Sequence, residues 1–208
     1  MNTMLRIFTA GLLLAVSGCA GGKTDTPNMP DFPLSCAAVL PAVRGSDLDR
    51  NPTEEKEEEK ALAEGVVVMN KALREYFGSR TDIRMISEEL VEPGKPRQSL
   101  AGVKATAEKA GCNAVLETTL YRYKERLGGE YTAKEPAATA FTYRLLALPD
   151  GTALCRGNFD QEQEPLLNNL LTFRQSAENS FAWVTVERLL TQGLHERLDD
   201  CPYLAEKK

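Results

Sequence analysis

The first hydrophobic block of the chain is a run of uncharged apolar residues, 7 to 16, behind a single cation, Arg6, and ahead of the small residues Ser17 and Gly18. Cation, short apolar stretch and small residues are the layout of a signal peptide. The stretch is well short of the roughly 20 apolar residues that cross a bilayer, and no later segment approaches that length. Between residues 20 and 33 the pattern changes to small and polar residues broken by Pro27, Pro30 and Pro33. That spacing suits an extended tether that buries nothing.

Periodic apolar positions begin at residue 36. Residues 36 to 43 read as a first strand ending near Pro41. Asn51-Pro52-Thr53-Glu54 then offers a cap, a proline at the first helical position and a glutamate three residues after the cap. The helix it opens carries Leu62, Val66, Met69, Leu73 and Phe77 on one face, and Gly78 stops it. Glu54, Glu55, Glu57, Glu58 and Glu59 cluster where a helix dipole favours anions, which makes them a solvated helix start before a cation site. A short strand at 82 to 87 precedes a second helix with Leu100, Val103, Ala107 and Ala110 as its buried stripe and Gly111 at its end. A third strand spans 113 to 125. After a Gly-containing connection, residues 138 to 148 alternate, with Phe141, Tyr143, Leu145 and Ala147 on one face and Thr142 and Arg144 on the other. Pro149-Asp150-Gly151 turns the chain into a fifth strand, 152 to 160, with Ala153, Cys155, Gly157 and Phe159 sharing a side. Two helices close the chain. The last places Trp183, Val186, Leu190 and Leu194 together, with Glu187, Arg188, Glu196 and Arg197 largely elsewhere.

The order β-α-β-α-β-β-β-α-α predicts an α/β (α+β) fold: one mixed sheet of about five strands with helices packed on it. The expected organisation is a signal peptide over residues 1–18, a modified cysteine and tether over 19–34, and a single domain over 35–208.

Charge narrows the partners. The chain holds 25 Lys and Arg against 30 Asp and Glu. Cleavage after residue 18 removes only Arg6, leaving 24 against 30 and a net charge of -6. Nucleic acid is an unsuitable partner for that balance. Four cysteines follow Cys19: Cys36, Cys112, Cys155 and Cys201, with no CxxC spacing and a single histidine, His195. A zinc site of closely spaced ligands is not indicated, so no metal or cofactor is expected. Disulfides and buried thiols both fit an oxidising compartment. Cys36-Ala37-Ala38-Val39-Leu40 echoes Cys112-Asn113-Ala114-Val115-Leu116, as if at one end of neighbouring parallel strands. This favours Cys36 with Cys112, leaving Cys155 with Cys201.

Candidate chemistry is sparse. His195 sits near a helix C-terminus, where the macrodipole favours a cation and a surface or capping role. Asp160 with Glu162, or Asp199 with Asp200, are carboxylate pairs that acid–base or cation chemistry needs, but no spacing rule singles them out. GxGxxG, Walker and HExxH patterns are absent from the sequence. No catalytic residue is expected. The segment from Gln161 to Asn169 joins polar amides to an apolar helix start. Its Gln161, Gln163, Asn168 and Asn169 form either a protein-binding edge or a connector whose amides cap the helix.

Val16-Ser17-Gly18-Cys19 resembles the bacterial lipobox, whose cysteine receives diacylglycerol before cleavage. The resemblance implies a lipid on Cys19 and, in Gram-negative sorting, an outer-membrane address because Ala20 rather than aspartate follows. Residues 121–128 (Tyr-Arg-Tyr-Lys-Glu-Arg-Leu-Gly), 136–141 (Pro-Ala-Ala-Thr-Ala-Phe), Asp150-Gly151, Asn158-Phe159-Asp160-Gln161, Pro165-Leu166 and Trp183 resemble a group of uncharacterised bacterial lipoproteins. Their element order is similar to the amino-terminal domain of TolB, the penicillin-binding-protein activator lipoproteins and the curli secretion channel subunit. The short polar link around residues 126 to 137 departs from the long hairpins of the curli subunit, which disfavours a pore. The short tether departs from the long one of the activators. Likeness of fold does not by itself license function; the anchor together with the missing catalytic set is what points to a lipid-anchored, periplasm-facing, non-enzymatic adaptor for an envelope protein. A subunit of a secretion assembly, or a hydrolase working through Asp160 or Glu162, are the alternatives.

Overall fold

A computed structural model describes residues 32–45, 55–78, 80–87, 100–129, 132–163 and 184–205. The chain runs β1 (Ala37–Val39), β2 (Val43–Arg44), α1 (Glu55–Phe77), β3 (Ile83–Met85), α2 (Leu100–Lys109), β4 (Ala114–Lys124), β5 (Leu127–Gly129), β6 (Thr132–Glu135), β7 (Ala138–Ala147), β8 (Ala153–Glu162) and α3 (Val186–Asp199). The mixed α/β sheet expected from the apolar pattern is present. Its order is β3-β1-β4-β7-β8, with β2 also beside β4. β1, β2 and β3 run parallel to the strands they pair with, and β7 and β8 continue the sheet antiparallel. The expected signal peptide, Cys19, the expected cap at residues 51–54, the expected first of two closing helices, Asn168, Asn169 and Trp183 lie outside the described residues.

Three details depart from the periodic pattern. The first strand is split: β1 ends at Val39, Pro41 interrupts, and Val43–Arg44 returns to pair farther along β4. The link at residues 126–137 is not an irregular connection but a two-stranded hairpin, β5 with β6. Near its start β8 carries an irregularity: Leu145 pairs with Cys155 but Leu146 with Ala153, so Leu154 is the extra residue. Leu154 is therefore buried and Ala153 exposed, reversing the alternation expected there.

The two faces of the sheet are packed differently. α1 and α3 cover one face, where Leu116, Leu120, Phe141, Leu145 and Phe159 meet Met69, Leu73, Leu190 and Leu194. α3 comes close because Gly193 has no side chain. A Cβ there would lie 2.4 Å from the Phe159 ring. α2 covers only part of the other face, placing Val103 and Ala107 against Ala38, Leu40, Val115 and Leu146. On these grounds α1 uses Leu62, Met69, Leu73 and Phe77 as expected, while Val66 is only partly buried.

Polar groups fasten the ends. Asn113 Oδ1 accepts from the backbone N–H of Ser35 (3.1 Å) and Cys36 (3.3 Å), and its Nδ2 donates to the Pro33 carbonyl at 2.9 Å. Disulfides join Cys36 to Cys112, with Cα atoms 4.6 Å apart, and Cys155 to Cys201, at 6.0 Å. Arg80 forks onto Asp82 at 2.9 and 3.0 Å and donates to the carbonyls of Tyr203 and Ala205, both at 3.2 Å. The C-terminal turn is thus clasped to the sheet edge.

Thr118 is an exception to this satisfaction. Its side chain is 1% exposed on the α1 side, and its hydroxyl has no hydrogen-bond partner. An unpaired buried hydroxyl costs about 1–3 kcal/mol, and an apolar group of the same shape relieves that cost. Thr118→Val is expected to stabilise by about 1 kcal/mol and raise the thermal midpoint by roughly 2–4 °C. A thermal melt showing an unchanged or lower midpoint would remove this account.

Candidate functional site

The sheet face that α2 leaves open is organised in cross-strand rows, because residues paired across β4, β7 and β8 project to the same side. One row is Arg122, Ala140 and Asp160, the next Thr119, Thr142 and Asn158, and the next Glu117, Arg144 and Arg156. All nine side chains are partly or wholly exposed. In the first row the central residue is only an alanine, so the long Arg122 side chain crosses over it and forms an ion pair with Asp160. Arg144 forms an ion pair with Glu117, its direct cross-strand neighbour. Between these rows lies a depression of about 260 Å³, lined by Tyr121, Arg122, Ala140, Phe141, Thr142, Asn158, Phe159 and Asp160.

A β-bulge shapes one wall. Leu120 pairs with Phe141 and Arg122 with Ala140, leaving Tyr121 as the inserted residue. The bulge returns Arg122 to the open face after the apolar Leu120 has faced the core. Tyr121 lies over Gly45, where a Cβ would sit 2.2 Å from the ring. Glycine at the end of β2 is therefore what lets the ring settle.

The candidate residues from the sequence are dispersed. Asp160 is in the depression, bound to Arg122, and Gln161 is exposed near the end of β8. Glu162 belongs to a separate row with Ala138 and Lys124, in which Lys124 turns instead to Glu135 at 2.7 Å. Gln163 acts locally, its Oε1 accepting from the Val184 N–H at 2.9 Å, just ahead of α3. Thr185 caps the same helix by accepting from Arg188 N–H at 3.3 Å, and Glu125 accepts from Val186 N–H at 3.4 Å. Thr185 and Glu125 thus serve two of the amides that a helix start leaves without intrahelical partners, and Gln163 holds the residue just before the cap. Asp199 accepts from the Tyr76 hydroxyl at 2.6 Å, and Asp200 pairs with Arg197 at 3.2 Å. His195 is exposed, with its ring edge-on to Tyr76 at 4.9 Å. Asp199 and His195 therefore share Tyr76 as a neighbour, while Asp160 and Glu162 lie on β8. Among the described residues, no group of three or more His, Cys, Asp or Glu is arranged to hold a metal ion.

No family model and no curated protein matches the chain. Solved structures do. The chain is similar to the PelC dodecamer from Paraburkholderia phytofirmans, at 12% identity over 83% of this chain and 89% of that one, with a TM-score of 0.45. It is similar to the LpoB C-terminal domain from Salmonella enterica, at 12% identity over 64% and 87%, with a TM-score of 0.36. It is similar to lipoprotein GNA1162 from Neisseria meningitidis, at 16% identity over 69% and 99%, with a TM-score of 0.33. These are likenesses of fold.

One titratable group beside the covered face is strongly perturbed. Burial pushes the Tyr123 phenol up to about 12, assisted by the negative charges of Glu187, Glu125 and Glu64. A folded-state value above the unfolded one means the folded protein holds this proton longer. The associated stability is complete below pH 10 and is lost as pH rises from about 10 through about 12. The ultraviolet titration of wild type minus Tyr123→Phe is expected to isolate a phenol with a midpoint near 12. A difference midpoint at the ordinary value of 10 would show that the burial and carboxylates do not act on it.

Sequence reading alone missed Asn113, Arg80, the Tyr121 bulge and the Arg122–Asp160 crossing. Asn113 directly follows Cys112, and that adjacency is its one signal in the sequence. The crossing, by contrast, depends on Ala140 occupying the position between two strands, a relation set by register and not by local spacing.

Proposed function

We propose that this chain is a lipid-anchored, non-enzymatic binding or assembly adaptor of the cell envelope. On this reading residues 1–18 are the signal peptide, Cys19 carries the lipid, and residues 35–208 are a single domain facing the periplasm from the outer membrane. The observation that carries the binding role is the open half of the sheet. A broad face of polar rows surrounds a depression that offers both charge signs, hydroxyls and an amide. Such a surface suits an extended polar segment of a protein partner, since exposed ion pairs of this kind contribute little to stability, about 0–1 kcal/mol each, and are available for exchange. The lipobox resemblance at Val16-Ser17-Gly18-Cys19 supports the anchor, and several acyl chains at about 0.8 kcal/mol per buried CH₂ would make it durable.

The test is site-specific photocrosslinking in intact cells with the full-length chain. A crosslinker at Thr142, inside the depression, is expected to trap a discrete envelope protein. One at Val67, which is 63% exposed on α1 and on the other side of the sheet, is expected to trap none. Equal adducts from both positions, or none from Thr142, would reject the face as the binding surface. The anchor is tested separately: Cys19→Ser is expected to release the protein from the membrane fraction.

A further inference from the structure

The sheet ends on β8, a ten-residue strand with β7 on one side and, among the described residues, no strand on the other. The backbone N–H of Gln163 donates to the Ala137 carbonyl at 2.9 Å. In an antiparallel ladder the residues that exchange bonds with one neighbour alternate with those that face the opposite way. Gln163, Gln161, Phe159, Gly157 and Cys155 therefore bond to β7. The N–H and C=O groups of Arg156, Asn158, Asp160 and Glu162 point outward, and these four residues are exposed.

Their charges are arranged unevenly. Asp160 is matched by Arg122 within the chain. Arg156 lies directly opposite another cation, Arg144, which is itself committed to Glu117. Glu162 lies opposite Ala138, and the lysine beyond it is committed to Glu135. Among the described residues Arg156 and Glu162 are thus the cation and the anion of this edge that have no ion-pair partner, and they are six positions apart on the same side of one strand.

A two-fold axis converts that spacing into a match. We infer that β8 pairs antiparallel with β8 of a second copy of this chain, with the axis at Phe159. In this register Arg156 of each copy faces Glu162 of the other, and Asn158 faces Asp160. Every outward N–H and C=O of the four residues meets a partner residue whose own groups also point across the seam, as an antiparallel ladder requires. Moving the axis to Asn158 places Arg156 opposite an aspartate already held by Arg122 and leaves Glu162 facing Leu154. Moving it to Asp160 sets that carboxylate against its own copy, a like-charge contact that destabilises cross-strand pairs. Charge complementarity selects the Phe159 register. The Leu154 bulge, which disrupts regular pairing at the start of β8, sets the limit of the seam on that side.

The experiment is sedimentation equilibrium of the full-length chain in detergent micelles, with wild type, Arg156→Glu, Glu162→Arg and the double exchange R156E/E162R. Each single reversal turns two symmetry-related attractions into repulsions. It is expected to weaken self-association by roughly tenfold to thirtyfold, and the double exchange to restore it. Thermal melts of the four proteins monitor folding, which these exposed positions are expected to leave intact. A strictly monomeric wild type overturns the inference. So does a dimer indifferent to both reversals, or one that both singles weaken but the double exchange does not restore.

Discussion

Replacing Cys155 and Cys201 together with alanine is expected to lower stability by about 3–4 kcal/mol, the range for a cross-link closing a loop of this length. The bridge spans a sequence separation of 46 and ties β8 to the turn that follows α3. Cys201 and Leu204 are both fully buried, so the bridge and the Arg80 clasp hold the same short tail from two directions. Without the covalent link the unfolded chain regains its loop entropy, while the folded tail depends on Arg80 and on the packing of Leu204. The Cys36–Cys112 bridge spans a separation of 76, and the same chain-entropy argument makes its contribution larger by less than about 0.5 kcal/mol. Its ends are also held by Asn113 and by the β1–β4 pairing, so its loss should leave the native state less frayed. Urea unfolding under oxidising conditions measures both variants. Four free thiols in the native protein, or an unchanged midpoint for Cys155→Ala with Cys201→Ala, would show that no such bridge supports the fold.

Phe141→Ala should cost about 3–5 kcal/mol, because an aromatic ring is removed from a site that cannot close around the gap. Phe141 is 1% exposed and stacks on Phe159 with ring centroids 5.2 Å apart. Phe159 in turn is pressed by α3 at Gly193, so the neighbouring helix has already approached as far as the rings allow. The next residue, Thr142, faces the open side and lines the depression. Thr142→Ala is therefore expected to remain within about 0.5 kcal/mol of wild type, as exposed substitutions usually do. Equilibrium unfolding of the two variants gives the contrast. A loss below about 1 kcal/mol for Phe141→Ala would show that the core under the depression repacks freely, contrary to the close packing expected of interiors.

That alternation between Phe141 and Thr142 is also where the sequence was most informative. Strict period-two patterning identified which side of β7 faces the core, and the four-three-four-four spacing from Leu62 to Phe77 oriented α1, because burial of one face imposes its period on the residues. The reading failed where a strand departs from its own period. The extra residues Leu154 and Tyr121 shift everything beyond them, and no local feature of composition announces a bulge. The hairpin of β5 and β6 escaped notice because its strands are three and four residues long, too short for alternation to register. The polar rows of the open face were beyond reach for a different reason. Each row joins residues from three strands, β4, β7 and β8, so its chemistry exists only after the register is set.

The grip of Asn113 has a directional meaning. The segment from Phe32 is pinned through Pro33, Ser35 and Cys36 at the end of the sheet where β1 and β4 begin. From Ala114 to Arg122 the strand advances by eight residues, roughly 26 Å at about 3.3 Å each. Residues 33–36 thus sit at one pole of the domain and the depression lies toward the other. With the lipid at Cys19, a pull on the amino-terminal end of the domain would turn the depression away from the membrane.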